Sequence, residues 1–344
     1  MMSMKNKINI LVTFKLDEQS QSRIRACSDQ IEMAVIPVKS ASEIPDEQWK
    51  EVEVLFTQSV LPEPAQVPNI QWVQFRYVGI DHFLDQALFQ NPQVTFTNMS
   101  GAITNQVAEF AVMMILAFGR RLPEMIALQK EKHWLSNKEK WQTYFPQELR
   151  NSTVGIIGYG AIGRQVARLL RPFQATILAV KKDVLHPEDT GYIPEGMGDP
   201  HGEFFERLYP IEALHSVLED SDFVVMALPL TESTHHLMNA AAFKAMKPSA
   251  YLINIGRGGL VDEEALIHAL QENQIAGAGL DVFSEEPLSE DSPLWEMPNV
   301  IISPHISYVS PNFNEDTLLL FLDNLNRFLA DLPLHNRVDL KRGY

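Results

Sequence analysis

Arg257, Glu286 and His305 follow one another in this 344-residue chain, downstream of the turn Gly158-Tyr159-Gly160-Ala161-Ile162-Gly163. Together they offer an acid–base pair and a carboxylate-binding cation. A guanidinium grips a carboxylate or carbonyl oxygen with a two-pronged fork, an imidazole passes a proton near neutral pH, and a carboxylate orients that ring. Singly, an Arg before Gly-Gly is commonly a turn residue, a Glu before Pro a solvated charge, and a Pro-His structural. Their order behind the glycine turn gives them weight as a set.

The turn is a candidate dinucleotide cradle because its context is met on both sides. Thr153–Ile157 reads as a buried parallel strand, and Arg164–Leu170 continues at helical spacing. Gly158 then makes the tight turn, Gly160 lets the backbone approach a pyrophosphate, and Gly163 permits close helix–strand packing. The phosphates would sit on the unpaired amides of the helix N-terminus, where the helix dipole favours negative charge.

The surrounding elements alternate in an α/β rhythm. Strands are expected at Ile8–Phe14, Glu32–Val35, Val52–Phe56, Gln71–Phe75 and Val94–Phe96, with Asp17–Ser28 and Asp46–Lys50 as helical or turn material. A long apolar helix, Asn105–Leu116, precedes a polar stretch dotted with aromatics (Trp134, Trp141, Tyr144, Phe145). A second series places strands at Thr153–Ile157, Thr176–Val180, Phe223–Ala227, Tyr251–Asn254, Gly277–Leu280 and Val300–Ser303. Helices fit at Arg164–Leu170, Ile211–Glu219, Ala240–Ala245, Glu263–Glu272 and Asn314–Leu329. The Gly/Pro/His-rich stretch from Lys182 to Tyr209 reads as a long surface loop.

Length implies two domains. A hydrophobic content of 45% and a charged content of 21% describe an ordinary globular protein. The net charge of −16 argues against nucleic acid or an anionic membrane as partner, and an anionic substrate needs only one local cation. A single cysteine, Cys27, gives no disulfide and no metal cluster, so no metal is expected and a reducing compartment fits. The opening apolar stretch is too short for a secretory leader. The run from Val107 to Gly119 is too short for a membrane span and carries Glu109. A cytoplasmic location is expected.

Three segments carry a resemblance. Asn254-Ile255-Gly256-Arg257-Gly258-Gly259-Leu260-Val261-Asp262, Ala278-Gly279-Leu280-Asp281-Val282-Phe283-Ser284-Glu285-Glu286-Pro287-Leu288 and Ser303-Pro304-His305-Ile306-Ser307 resemble the D-isomer-specific 2-hydroxyacid dehydrogenases. The resemblance implies a Rossmann-type nucleotide-binding domain (residues 104–308) inserted into a flavodoxin-like α/β substrate domain (residues 1–103 and 309–344). It implies His305 as general acid in reducing a 2-keto acid, Glu286 orienting the imidazole and favouring its charged form, and Arg257 binding the substrate carboxylate and polarising its carbonyl. It places the cofactor against Gly158, Gly160, Ala161, Ile162 and Gly163, with Leu228, Pro229, Ile255, Gly256 and Asp281 nearby, Asp281 toward the nicotinamide carboxamide. Phe75-Arg76-Tyr77-Val78-Gly79-Ile80-Asp81-His82 looks like the glycine-bearing substrate loop. Its amides at Val78 and Gly79 would meet the substrate carboxylate, with Arg76 as an extra cation.

Where this family usually carries an acid for the adenosine ribose, about 20 residues past the glycine turn, this chain has Lys181 and Lys182. Two ammonium groups suit a 2′-phosphate, so NADP(H) is expected ahead of NAD(H), unless Asp183 takes the acidic role. The resemblance therefore points to a reductase of glyoxylate- or hydroxypyruvate-like acids, working as a homodimer. Alternatives are an NAD-dependent phosphoglycerate or other D-2-hydroxyacid dehydrogenase, and a nicotinamide-sensing, corepressor-like interaction protein. A formate dehydrogenase is disfavoured, since that branch carries Gln where Glu286 stands. Ser307-Tyr308 departs from the Gly common after the His-Ile pair.

Overall fold

The computed structural model describes residues 7–340, so the first six residues of the opening segment and the last four of the closing one lie outside it. The described chain forms two compact units. One runs up to Ile103 and resumes at Pro311; the other is Thr104–Ser310.

The first unit is built on strands β1 (Ile8–Val12), β2 (Ile31–Val35), β3 (Val54–Thr57), β4 (Trp72–Phe75) and β5 (Thr95–Thr97). All pair in parallel, in the order β2-β1-β3-β4-β5, which is the flavodoxin-like order. Every residue of β3 and β4 is buried, as parallel strands covered on both faces require. The helix Phe313–Leu329 covers one face: the Phe321 ring stacks on Phe56 at 4.1 Å and on Trp72 at 5.3 Å. A polar tie crosses this core, with Asn324 Nδ2 donating to Gln74 Oε1 at 3.0 Å. It links residues 250 apart in sequence, and satisfaction of both buried amides makes it affordable.

The second unit holds β6 (Thr153–Ile157), β7 (Thr176–Val180), β8 (Arg207–Tyr209), β9 (Phe223–Met226), β10 (Tyr251–Asn254), β11 (Gly277–Leu280) and β12 (Val300–Ile302). The parallel order is β12-β11-β10-β9-β6-β7-β8. The strand order reverses at β6, which has β7 on one side and β9 on the other. In open α/β sheets the crevice at the carboxyl ends of such a switch point receives the ligand. The helix Thr104–Gly119 packs beside Ala161–Leu170, joined by Gln165 Nε2 donating to Asn105 Oδ1 at 2.8 Å. Among the described residues no helix is long and apolar enough to cross a membrane.

Several elements differ from the sequence reading. The helix after the glycine turn starts at Ala161, not Arg164, because Gly160 is its N-cap; apolar periodicity does not register a cap that acts through backbone. The polar stretch after Gly119 contains two helices, Leu122–Glu131 and Asn137–Thr143. The first hides from periodicity because its apolar residues Leu122, Met125 and Ile126 are exposed. The second had a legible signal, the Ser136…Glu139 capping box. The stretch after Lys182 is not wholly a surface loop. It buries Asp199 to 1% exposure and ends in β8, which extends the sheet beside β7.

Candidate active site

The glycine turn leaves β6 with the amides of Gly158 and Tyr159 both donating to Val180 O, at 3.1 and 2.9 Å. Gly158 has φ +107°, and a Cβ there would lie 2.6 Å from Ala227 O. A Cβ on Gly163 would come within 2.2 Å of Gly158 O. At Gly160 a Cβ would meet nothing within 4 Å. Two glycines are thus demanded by the protein's own packing, while the third faces open space above the first amides of the helix Ala161–Leu170. Those amides have no intrahelical acceptor, and no side chain caps them. This open cradle at a helix N-terminus fits the phosphates of a dinucleotide.

Around the cradle, Leu228-Pro229 follows β9 and Ile255-Gly256 follows β10. A Cβ on Gly256 would lie 3.0 Å from Leu228 O, so the structure brings these two expected cofactor segments together. Lys181 and Lys182 follow β7. Lys181 turns its ammonium into the following loop, donating to His186 O and to Glu188 O, and burial holds its pKa below the usual lysine range. Lys182 is exposed. Asp183, the alternative partner for the ribose, pairs with His186 at 2.8 Å.

Residues 183–206 are anchored to the glycine turn by groups that the sequence reading missed. Tyr159, 1% exposed, donates its hydroxyl to Asp199 Oδ2 at 2.7 Å, and burial followed by this bond pushes the phenol pKa up. The carboxylate of Asp199 also accepts from the amides of Glu203 and Phe204, each at 2.9 Å. Arg164, on the first turn of the helix and also 1% exposed, donates to Asp199 O at 2.6 Å and to Pro187 O. No local pattern announces these bonds, because the partners are 23 to 40 residues apart.

Arg257, Glu286 and His305 all lie in the second unit. Arg257 directly precedes a short turn, Gly258–Leu260. Its own backbone is fixed by buried Asn254, whose Nδ2 donates to Arg257 O at 3.0 Å. A Cβ on Gly258 would overlap the Phe283 carbonyl carbon at 1.8 Å. Glycine at that position therefore lets the arginine turn lie directly against the loop that carries Glu286. The Glu286 carboxylate is oriented by Phe283 N, which donates to Oε1 at 3.1 Å. Its other oxygen, Oε2, lies 2.7 Å from His305 Nδ1. A carboxylate only accepts, so Nδ1 carries the hydrogen. Nε2 has no hydrogen-bond partner among the described residues and remains available to a substrate oxygen. Both side chains are more than a third exposed, and the ring meets Tyr308 edge to face at 6.0 Å.

Asp281 holds the His305 turn in place. It is 1% exposed, and its carboxylate accepts from Ser303 Oγ (2.7 Å), Ile306 N (2.8 Å) and Ser307 N (3.0 Å). Its backbone oxygen accepts from His305 N at 2.9 Å. The turn needs this support, because His305 has φ +52°, in the left-handed region that costs a side-chain-bearing residue roughly 1–2 kcal/mol. Asp281 was expected at the nicotinamide side; in the structure both carboxylate oxygens already accept protein donors. Ser303 was not singled out in the sequence.

Arg76, Val78 and Gly79 lie in the first unit, after β4. The carbonyls of the loop are pinned: Met99 N donates to Tyr77 O at 3.1 Å and Asn98 Nδ2 to Val78 O at 3.2 Å. The amides of Val78 and Gly79 donate to no acceptor among the described residues. Arg76 is 8% exposed, with its guanidinium 4.2 Å from the Phe14 ring centroid and 5.0 Å from that of Phe313.

Residues 112–307 match the family model of the D-isomer specific 2-hydroxyacid dehydrogenase NAD binding domain. A glyoxylate reductase of Thermococcus onnurineus is 33% identical over 94% of this chain and 93% of its own length. A glyoxylate/hydroxypyruvate reductase B of Citrobacter koseri is 36% identical over 76% of this chain and 75% of its own. A D-isomer specific 2-hydroxyacid dehydrogenase of Xanthobacter autotrophicus, solved with NADPH and MES, superposes with a TM-score of 0.80 at 27% identity, covering 99% of this chain and 100% of its own. With a Rossmann-ordered sheet, an open phosphate cradle and these relatives, the chain belongs to the D-isomer-specific 2-hydroxyacid dehydrogenases, which are NAD(P)-dependent oxidoreductases.

Proposed function

We propose that this protein reduces small 2-keto acids of the glyoxylate and hydroxypyruvate type to the D-2-hydroxy acid, using NADPH in preference to NADH. The observation that carries the reading is the 2.7 Å contact between His305 Nδ1 and Glu286 Oε2. It leaves Nε2 open on a turn braced by Asp281. The nicotinamide, when bound, supplies the hydride to the carbonyl carbon.

His305 gives its Nε2 proton to the carbonyl oxygen as the negative charge develops there. Glu286 keeps the ring in the donating orientation and offsets the positive charge it carries. Arg257 binds the substrate carboxylate and polarises the carbonyl with its guanidinium. The first unit serves the substrate, offering an acid group the amides of Val78 and Gly79, with Arg76 as the cation of the same loop. The second serves the dinucleotide, with Gly158, Gly160, Ala161, Ile162 and Gly163 at the pyrophosphate and Leu228, Pro229, Ile255 and Gly256 lining the approach to the nicotinamide. Asp281 acts there through the His305 turn. Support for NADPH comes from Lys182, which is exposed beyond β7, from Asp183 being paired with His186, and from the NADPH-bound relative. Lys181 contributes charge while tied to the loop. A homodimer is the working assembly, with the exposed Trp134, Trp141 and Phe145 as contact candidates.

The test follows absorbance of NADPH and NADH side by side against glyoxylate, hydroxypyruvate, pyruvate and phenylpyruvate. Faster turnover with NADPH on glyoxylate or hydroxypyruvate is expected, and Lys182→Ser should narrow the gap between cofactors. A clear NADH preference would remove the lysine argument. Silence with both cofactors across the panel would overturn the reductase reading.

A further inference from the structure

Asn254 ends β10, between β9 and β11, and is 1% exposed. Its side-chain amide makes two bonds into the turn that follows. Oδ1 accepts from Gly256 N at 3.1 Å, and Nδ2 donates to Arg257 O at 3.0 Å. A main-chain N–H only donates and a carbonyl only accepts, so one orientation of the amide satisfies both, and an ionised aspartate of the same size would not. The two bonds bracket the peptide between Gly256 and Arg257. The carbonyl of that peptide, Gly256 O, accepts from Arg257 Nη1 at 2.8 Å. One buried amide therefore fixes the peptide planes on either side of the carbonyl that holds the guanidinium. Asn254 is itself held from behind: its main-chain oxygen accepts from Asp281 N at 3.1 Å, and Asp281 O accepts from His305 N at 2.9 Å. A buried polar network satisfied in this way is rigid.

Resting on the reductase reading, we propose that Asn254 is the positioning residue of Arg257, aiming the guanidinium at the substrate carboxylate through the Gly256 carbonyl. An arginine side chain gives up much rotamer freedom when it is immobilised. A guanidinium already held at Nη1 gives up less on binding, so the turn is organised before the substrate arrives. The substrate cation and the acid are then set by neighbouring strand ends, Asn254 on β10 and Asp281 just past β11, joined by a main-chain bond.

The experiment measures three quantities: kcat/KM for glyoxylate at saturating NADPH, the Kd of oxamate (a small carboxylate that takes no hydride) with NADPH present, and the Kd of NADPH alone. They are compared in wild type, Asn254→Ala, Asn254→Ser, Arg257→Met and the double variant Asn254→Ala with Arg257→Met. Asn254→Ala should lower kcat/KM by about ten- to a hundred-fold, the scale of buried partners left unsatisfied. Oxamate should bind more weakly, and the NADPH Kd should stay within a few-fold. A serine hydroxyl still accepts from the amide two residues on, so Asn254→Ser should lie between. In the Arg257→Met background, Asn254→Ala should add less than about two-fold, because the group it positions is gone. Equal losses from Asn254→Ala with and without Arg257 overturn the proposal, since Asn254 would then be a general brace of the turn. So does an NADPH affinity that falls as far as kcat/KM, or an Asn254→Ala variant that keeps wild-type kcat/KM and oxamate affinity. If Asn254→Ala fails to fold, Asn254→Ser, alone and paired with Arg257→Met, completes the same cycle. Absence of wild-type turnover on glyoxylate and the other acids would instead overturn the reductase reading.

Discussion

Two turns at the carboxyl edge of the seven-stranded sheet expose functional atoms by opposite means. After β6, the glycine turn works by having no side chains: Gly158 occupies φ +107°, Gly163 admits the Gly158 carbonyl, and Gly160 leaves open space. After β12, the His305 turn also enters the left-handed region, but there the residue carries a side chain. The conformation is held from outside by the carboxylate of Asp281, 22 to 26 residues earlier in the chain. A ligand-binding turn can be encoded locally in residue types. A left-handed turn that carries a side chain needs a tertiary brace.

The largest expected effect isolates the second turn. Replacing His305 by Gln should lower turnover by about 10²–10⁴-fold, the span of general acid–base catalysis. NADPH affinity, read by fluorescence titration, should stay within a few-fold because the first turn is untouched. Retained turnover would remove His305 from the chemistry.

Asp281→Asn tests the brace. It keeps the size but puts an NH₂ where a carboxylate oxygen accepts, leaving a donor facing the donors of Ser303, Ile306 or Ser307. Such a buried mismatch costs about 1–3 kcal/mol, visible in melting. Turnover should fall at least ten-fold, with much less change in NADPH affinity. A loss confined to NADPH affinity would show that Asp281 serves the cofactor directly and that the two turns are not held differently.

The glycine turn can be dissected in the same way. Gly163→Ala forces a Cβ to 2.2 Å from Gly158 O and 2.9 Å from Ile156 Cγ2, an overpacking worth about 1–3 kcal/mol or more in stability. Gly160→Ala meets no protein atom, so its melting temperature should hold while NADPH affinity drops about ten-fold, roughly 1.4 kcal/mol. If both variants melt alike and bind alike, the separation into packing and ligand glycines is wrong.

The smallest effect concerns the support beneath the first turn. Tyr159→Phe removes the hydroxyl bonded to Asp199, whose carboxylate keeps the amides of Glu203 and Phe204. Stability should fall by about 1–2 kcal/mol, and limited proteolysis should cut faster within residues 183–198. Unchanged protection would mean that Arg164 alone anchors this segment.

The sequence by itself determined the elements whose information is local. Buried parallel strands are short apolar runs, so β6, β7, β10 and β11 have the ends expected of them. The glycine turn, the arginine before Gly-Gly and the Glu-Pro and Pro-His steps were legible as residue types in fixed order. Only the tertiary structure decided which groups hold those residues in place. Asp281 was read in sequence for a cofactor contact; its burial and its three donors from the His305 turn were not legible there. Arg76 was legible as an extra cation of the substrate loop, but not its burial, which Phe14 and Asn314, far from it in sequence, supply. Asp199 sat in an apparently featureless loop, yet it is the acceptor on which the loop folds. Each of these depends on desolvation and on a donor or acceptor arriving from elsewhere in the chain, and neither leaves a mark in composition or periodicity.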